Sequence, residues 1–389
     1  MNRLFNDFEI TGTTEEKMFQ ELKTISDITE IVNIKPYELS VVSLKNTIKG
    51  GFKTIEFIPN EIYIDTICDK SFFEDRVKDV SYEDFIKEGI NYDLIKEITE
   101  TGYFFKYGET IIVPAPNIQN MLTHLLGAGK LYKEADPINQ LYLAYLLREG
   151  EPFSMIIRRE DNVAKGFAVF SENHTLIRQD DRVKEALKMI RKHHEYAEIS
   201  HFSIRHLRTD VEIVMPDLKI ARRSNEKKYV IAPTFIVSLA DTGDYSYTIE
   251  AALTINGRAV RIGEPISLEK DNIEELICDE IVNFNKILSE LDSEKGRVKK
   301  VENIRRIMKK LGYNKLGKKY IELYNDYLKA FEGEKCNKVE VMIEILTIPQ
   351  NIVYLYTKTY NALPPEYIVE MMSRFSGNIF NLDFDRECF

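Results

Sequence analysis

The chain of 389 residues carries 53 Lys and Arg against 63 Asp and Glu, a formal net charge of −10, with 44% apolar and 30% charged residues. That balance belongs to a folded soluble protein too long for one hydrophobic core, so two or three subdomains are expected, and the acidic total weighs against general coating of nucleic acid. Four scattered cysteines, Cys68, Cys278, Cys336 and Cys388, form no Cys-x-x-Cys pair, which argues against a zinc ribbon or disulfide framework and for a reducing compartment.

Residues 1–9 have no basic region and no long apolar core, so no signal peptide is read. No apolar run approaches the roughly 20 residues of a membrane span. A cytoplasmic protein without a membrane partner is expected. Residues 1–35 read as a tail and a helix, with Thr13-Thr14-Glu15-Glu16 at its start and Met18, Leu22 and Ile25 on one face. Ser40–Leu44 and Phe52–Ile64 read as strands, the second broken by Pro59. Residues 70–100 read as helical and acidic, with Phe85, Ile86, Ile90, Leu94 and Ile95 inward. A hairpin follows, Tyr103–Tyr107 and Thr110–Val113 about a turn at Gly108-Glu109. Two helices fill 117–149, the second opened by Asp136-Pro137, and Glu149-Gly150-Glu151-Pro152 reads as a boundary.

The central block, 151–268, reads as an antiparallel β-rich domain. Phe153–Arg159 and Val163–Phe170 flank a turn at Glu160-Asp161-Asn162. A helix begins at Asp180-Asp181, with Val183, Leu187 and Ile190 inward, and strands at Phe202–Leu207 and Val211–Met215 follow. Residues 217–228 read as a basic loop holding Lys219, Arg222, Arg223, Lys227 and Lys228, and Tyr229–Leu239 as a strand interrupted by Pro233. Asn256-Gly257 between alternating runs predicts a two-residue type I′ hairpin. Its register would set Ile255 against Arg258, Leu253 against Val260 and Ala251 against Ile262 on one face, and Thr254 against Ala259, Ala252 against Arg261 and Glu250 against Gly263 on the other, giving one mostly apolar and one mixed face at the rim of a central sheet.

From Asp271 the period turns helical, with Ile273, Ile277, Ile281, Phe284, Leu288 and Leu291 stepping by three or four. A basic helix near 297–311, a Tyr-rich helix at 320–328, a helix around Val339–Thr347 and a capped helix at 366–374 complete the region. The fold class expected is therefore α+β: an acidic α/β region over 1–150, a largely antiparallel sheet over 151–268 and helices over 269–389.

Charge is uneven along the chain: residues 1–100 hold 21 acids against 12 Lys and Arg, whereas 295–319 hold 11 Lys and Arg against Glu302 alone. That stripe, Lys295, Arg297, Lys299, Lys300, Arg305, Arg306, Lys309, Lys310, Lys315, Lys318 and Lys319, suits phosphates or an acidic protein surface. A solvated helix face is the plain alternative, because Val301, Ile304, Met308 and Leu311 already give a core side. The binding residues expected are Lys299, Lys300, Arg305, Arg306, Lys309 and Lys310 on the helix, with Arg222, Arg223, Lys227 and Lys228 in the loop.

Other patterns carry less. His174, His193, His194, His201 and His206 cluster in sequence, but their spacing matches no metal-ligand pattern, and no metal site or cofactor is assigned. Asp241-Thr242-Gly243 is the aspartic-protease tripeptide without the second copy that a carboxylate pair needs. Asp217-Leu218-Lys219, with Asp180 or Asp181 upstream, echoes metal-dependent nucleases. Gly127-Ala-Gly-Lys130 ends a helix where a P-loop would begin one. No catalytic residue is assigned.

Residues 157–171, Ile-Arg-Arg-Glu-Asp-Asn-Val-Ala-Lys-Gly-Phe-Ala-Val-Phe-Ser, then Thr175–Asp180 and more loosely the 245–263 hairpin, resemble a phage- and plasmid-borne family of unknown activity. Its members come from conjugative-plasmid leading regions and prophages. The resemblance covers about a third of the chain, implies a mobile-element setting and a host-cytoplasmic location, and carries over Arg158 and Ser171 in unassigned roles. The function expected is a non-enzymatic binding protein for nucleic acid or an acidic host protein. The alternatives are a virion structural or assembly protein forming homo-oligomers, and a metal-dependent nuclease-like enzyme using the central acids and histidines.

Overall fold

The computed structural model describes residues 4–47, 50–63, 71–116, 118–128, 137–171, 178–224, 227–242, 246–291 and 298–382, except the side chains of Ser71, Arg223, Ser224 and Lys227. Cys68, Asp136, His174, Gly243, Lys295, Arg297 and Cys388 lie outside the described residues. The fold is α+β. In chain order, the first half comprises β1 (Glu9–Gly12), α1 (Glu15–Ile28), β2 (Thr29–Ile34), β3 (Leu39–Asn46), β4 (Phe52–Phe57), α2 (Ser71–Glu74), β5 (Lys78–Val80), α3 (Tyr82–Lys87), α4 (Tyr92–Thr101), β6 (Tyr103–Tyr107), β7 (Thr110–Pro114), α5 (Ile118–Leu125), α6 (Pro137–Arg148), β8 (Phe153–Glu160) and β9 (Val163–Ser171). The second half comprises α7 (Gln179–His193), β10 (Glu198–Arg205), β11 (Thr209–Val214), β12 (Ile220–Ser224), β13 (Lys227–Leu239), β14 (Thr248–Ile255), β15 (Arg258–Arg261), β16 (Ile266–Ser267), α8 (Ile273–Glu290), β17 (Val298–Lys299), α9 (Lys300–Leu311), α10 (Lys318–Leu328), β18 (Lys335–Cys336), α11 (Lys338–Tyr360) and α12 (Glu366–Gly377).

Two large sheets replace the single central sheet expected over 151–268. The first runs β2-β8-β9-β7-β6-β3-β4-β5, and the second β1-β10-β11-β13-β14-β15, with β12 on β13 and β16 on β14. The hairpin β8–β9 therefore joins the N-terminal strands, and Glu149–Pro152 lies within that unit rather than at its border. Conversely β1, from the N-terminus, pairs with β10 of the second sheet. Pairing is antiparallel except β7 with β9. The first sheet is buried on both faces, one under α5 and α6 and the other under α3 and α4. The second buries one face against α1, α7 and α8, with Phe235 of β13 meeting Phe284 of α8 edge to face.

The Asn256-Gly257 hairpin has the register read from sequence from Ile255↔Arg258 through Ala252↔Arg261, with φ of +50° and +80° at the turn; beyond it Ile262 and Gly263 both donate to the Ala251 carbonyl, so a bulge replaces the expected Ala251–Ile262 and Glu250–Gly263 pairs. β15 is a rim strand of the second sheet. Elsewhere the local reading gives way. Where one helical stretch is expected over 70–100, residues 71–101 hold three helices and a strand, because Lys78–Val80 pairs with β4 and Ser81 opens a new helix with a reciprocal Ser81–Asp84 capping box. The basic loop is a hairpin, β12 against the start of β13. Pro233 does not interrupt β13: one edge of that strand pairs with β12 as far as Ile231 and with β11 from Thr234. Proline sits at the change of partner, where a missing N–H costs no ladder bond.

The helix expected at 339–347 runs on through Pro349 to Tyr360. Proline at 349 removes the N–H that would bond the Ile345 carbonyl. The Ser376 hydroxyl of α12 donates to that carbonyl at 2.6 Å, and Tyr313 Oη lies 2.6 Å from the same Ser376 Oγ. The end of α12 is pressed on β15, since a Cβ at Gly377 would stand 1.8 Å from the Arg261 carbonyl oxygen.

Ser376→Ala should cost about 1–3 kcal/mol in urea denaturation, the penalty of an unpaired buried carbonyl. In a Pro349→Ala background, where the backbone N–H is restored, the same change should cost measurably less. Equal losses in both backgrounds would show that the hydroxyl is not compensating for proline.

Candidate functional site

The basic helix α9 turns Val301, Ile304, Ile307, Met308 and Leu311 inward, ends on Gly312 at φ +95°, and leaves Arg305, Arg306, Lys309 and Lys310 exposed. A single 3₁₀ turn, Tyr313–Lys315, leads to α10, whose first residues Lys318 and Lys319 are also exposed. The exposed part of the stripe thus lies along one helix–turn–helix segment. Part of it is paired internally: Lys299 with Glu302 at 2.9 Å, Arg305 with Glu332 at 3.2 Å, and Lys318 with Glu322 at 3.4 Å.

Lys300 does not belong to this face. Its side chain is fully buried, with Nζ 3.8 Å from both Glu334 and Glu344, 4.2 Å from the Phe331 ring centroid, and without a hydrogen bond. The helical period contains the signal, because Lys300 precedes Ile304 by four and Ile307 by seven and so shares their side. Glu344 is held further by Tyr324 Oη, which donates at 3.1 Å. The second basic group is also partly committed: Arg222 Nε donates to the Leu291 carbonyl at 3.0 Å, at the end of α8 where a cation suits the helix dipole. Lys228 is exposed, whereas the side chains of Arg223 and Lys227 lie outside the described residues.

A constellation missed in the sequence lies between the sheets. Arg158, on β8, is buried and donates through Nη2 to both Asp241 oxygens at 2.9 and 3.1 Å. Its Nε donates to Thr29 Oγ1 at 3.2 Å, its Nη1 to His206 Nδ1, and its guanidinium lies 4.6 Å from the Phe167 ring centroid. The ring of His206 stacks on Phe8 and lies against Phe167, and its Nε2–H donates to the Phe5 carbonyl at 2.5 Å. Burial, reinforced by the positive charge of Arg158, pushes the His206 pKa down to about 3, so the ring is neutral. Asp241 is thereby an ion-pair partner and not half of a protease dyad. Nearby, the buried Lys165 pairs with Glu97, whose other oxygen accepts the Asn6 N–H at 2.7 Å. Ser171 is exposed at the end of β9 and enters neither cluster.

The mixed face of the second sheet is the floor of a polar groove under α12. Arg205 bridges Glu9 and Glu366, Arg208 bridges Asp210 and Glu370, and Arg374 pairs with the buried Glu250 at 2.6 Å. Cavities of about 630 and 220 Å³ open along it and share Arg205, Glu366 and Glu370. Burial pushes the Glu212 carboxyl in the smaller one up to about 7.

The nuclease-like constellation is not assembled. Asp217 lies 3.3 Å from His194, just past the end of α7, whereas Asp180 is in its first turn, held by Arg178 and Lys184. At 1.5 Å per residue the two ends stand about 20 Å apart. Among the described residues no three His, Cys, Asp or Glu side chains are grouped to hold a metal ion, and no helix is long and apolar enough to cross a membrane.

Two outcomes are expected. Lys300→Glu, which would set a second carboxylate beside Glu344 in the core with half-exposed Glu334 at its edge, should unfold the helical region, while Lys309→Glu should change stability by less than about 0.5 kcal/mol in thermal melts. Because His206 has a folded pKa below that of the unfolded chain, its contribution is full above about pH 6.5 and is lost as pH falls toward 3. The stability advantage of wild type over a His206→Phe variant should therefore shrink from pH 6.5 to 5, a difference in which the opposite slope from Glu212, whose raised pKa favours the fold as pH falls, cancels. Scans against protein-family models, curated proteins and solved structures found no match to the chain.

Proposed function

We propose that the chain is a non-enzymatic binding protein of a phage or other mobile element that engages a polyanion, nucleic acid or an acidic protein surface, through the α9–α10 face. The observation that carries this is the set Arg306, Lys309, Lys310, Lys315, Lys318 and Lys319, all exposed along one helix–turn–helix segment of a protein whose net charge is −10. Local cation density of this kind, held on a rigid support, attracts phosphate or carboxylate arrays even when the whole molecule is acidic. The mobile-element setting is supported by the 157–171 resemblance.

Lys309→Glu combined with Lys310→Glu should weaken binding at least tenfold at low salt and, for nucleic acid, lower the salt slope by roughly 1.5–2. Arg305→Glu should matter less, because Glu332 already balances it. A gel shift or anisotropy titration at low salt that detects no polyanion binding overturns the proposal.

The rival reading, an assembly protein forming homo-oligomers, is favoured by exposed Tyr354, Leu363 and Tyr367 at 65%, 74% and 68% of their surface. Light scattering that finds only a monomer at high concentration rejects it.

A further inference from the structure

Resting on the polyanion reading, we infer that the partner is single-stranded nucleic acid, gripped by an aromatic platform of Tyr356 and Tyr360 set beside Lys319. The last turns of α11 leave the core: Ile352 is buried, whereas residues 357–360 are exposed. Tyr356 and Tyr360 are one turn apart and share a side, with ring centroids 4.6 Å from each other. Tyr356 stacks in turn on Tyr320 of α10, at 5.3 Å and 28° between planes. The row therefore runs from buried Tyr320 through half-buried Tyr356 to Tyr360, which leaves 50% of its surface open.

The row is joined to the basic face by Lys319. Its Nζ donates to Tyr356 Oη at 3.1 Å and lies 4.9 and 5.0 Å from the Tyr320 and Tyr356 ring centroids. Lys318, next to it on α10, and Lys315, in the turn before α10, are exposed, as is Lys358 on α11. Tyr360 lies one turn further out, so its ring can receive a base.

The chemistry of the partner follows from that combination. A duplex offers phosphates but hides its base faces in the stack, and an acidic protein surface offers carboxylates without flat π faces. A single strand offers both a phosphate track and stackable bases, the pair of features that a cationic groove lined with aromatic rings selects. A tyrosine that only closed the α10–α11 contact would not need to be half open at its outer end.

The test is an anisotropy titration of the full chain against labelled oligothymidylate, a duplex of equal length, and heparin as a polyanion without bases. Wild type should prefer oligothymidylate to the duplex. Tyr360→Ala, at a half-open position where the fold tolerates truncation, should weaken oligothymidylate about tenfold and leave heparin unchanged, and Tyr360→Phe should restore the affinity. Equal affinity for single strand and duplex, or an unchanged oligothymidylate affinity in Tyr360→Ala, overturns the platform. Should Lys309→Glu with Lys310→Glu still abolish heparin binding in that case, the polyanion reading stands without it. Failure of wild type to bind any of the three removes both.

Discussion

Arg158 ties the two sheets to each other. A guanidinium taken out of water is tolerable only when its donors are met and its charge is balanced. Here Thr29, His206 and Asp241 receive the donors and Asp241 supplies the charge. These partners come from the start of β2, the β10–β11 turn and the turn just past β13, so the arginine is satisfied only once both sheets are built. The neutral state of His206 belongs to the same arrangement, because a second cation beside Arg158 in that setting would be repelled. The Leu4–Phe8 segment closes the cluster, through the Phe5 carbonyl and the Phe8 ring.

The helical C-terminal region is organised by a comparable rule applied to the backbone. Pro349 is compatible with a long buried helix because Ser376 takes over the orphaned carbonyl, and Ser376 is placed by Tyr313 and by the glycine contact at 377. The same packing draws Lys300 inside, where Glu344 and Glu334 offset its charge and Phe331 covers it. One lysine of the stripe thus serves the core while its neighbours Arg306, Lys309 and Lys310 serve the surface. Helical phase, rather than charge, separates the two roles.

The proposed function rests on how the exposed charges are sorted. On the polar face of the second sheet, arginines pair with Glu9, Asp210, Glu250, Glu366 and Glu370 and hold α12 in place, which makes that groove a structural seam with cavities of about 630 and 220 Å³ along it. On α9 and α10 several cations remain outward, and the rigid helix pair presents them next to the tyrosine row of α11. The asymmetry between a matched seam and an outward cationic face is what directs the functional reading to the C-terminal helices.

Sequence alone determined what depends on neighbours in the chain. The Asn256-Gly257 register, the Tyr103–Val113 hairpin, the inward faces of α1 and α8 and the α+β class all follow from turn chemistry and periodicity, which act over a few residues. Tertiary structure decided what depends on distant segments: which sheet β8 and β9 join, the strand at Lys78–Val80, the hairpin within the basic loop, and the survival of a helix across Pro349. It also decided the buried ion-pair cluster between the sheets. Arg158, His206 and Asp241 were each visible in the sequence, one by resemblance, one as a stray histidine and one inside a protease-like tripeptide. Nothing local could unite them, because an ion pair forms by spatial approach and leaves no spacing rule in the chain. Lys300 lies between these cases, since its helical phase was written in the sequence while the buried carboxylate that makes the phase tolerable was not.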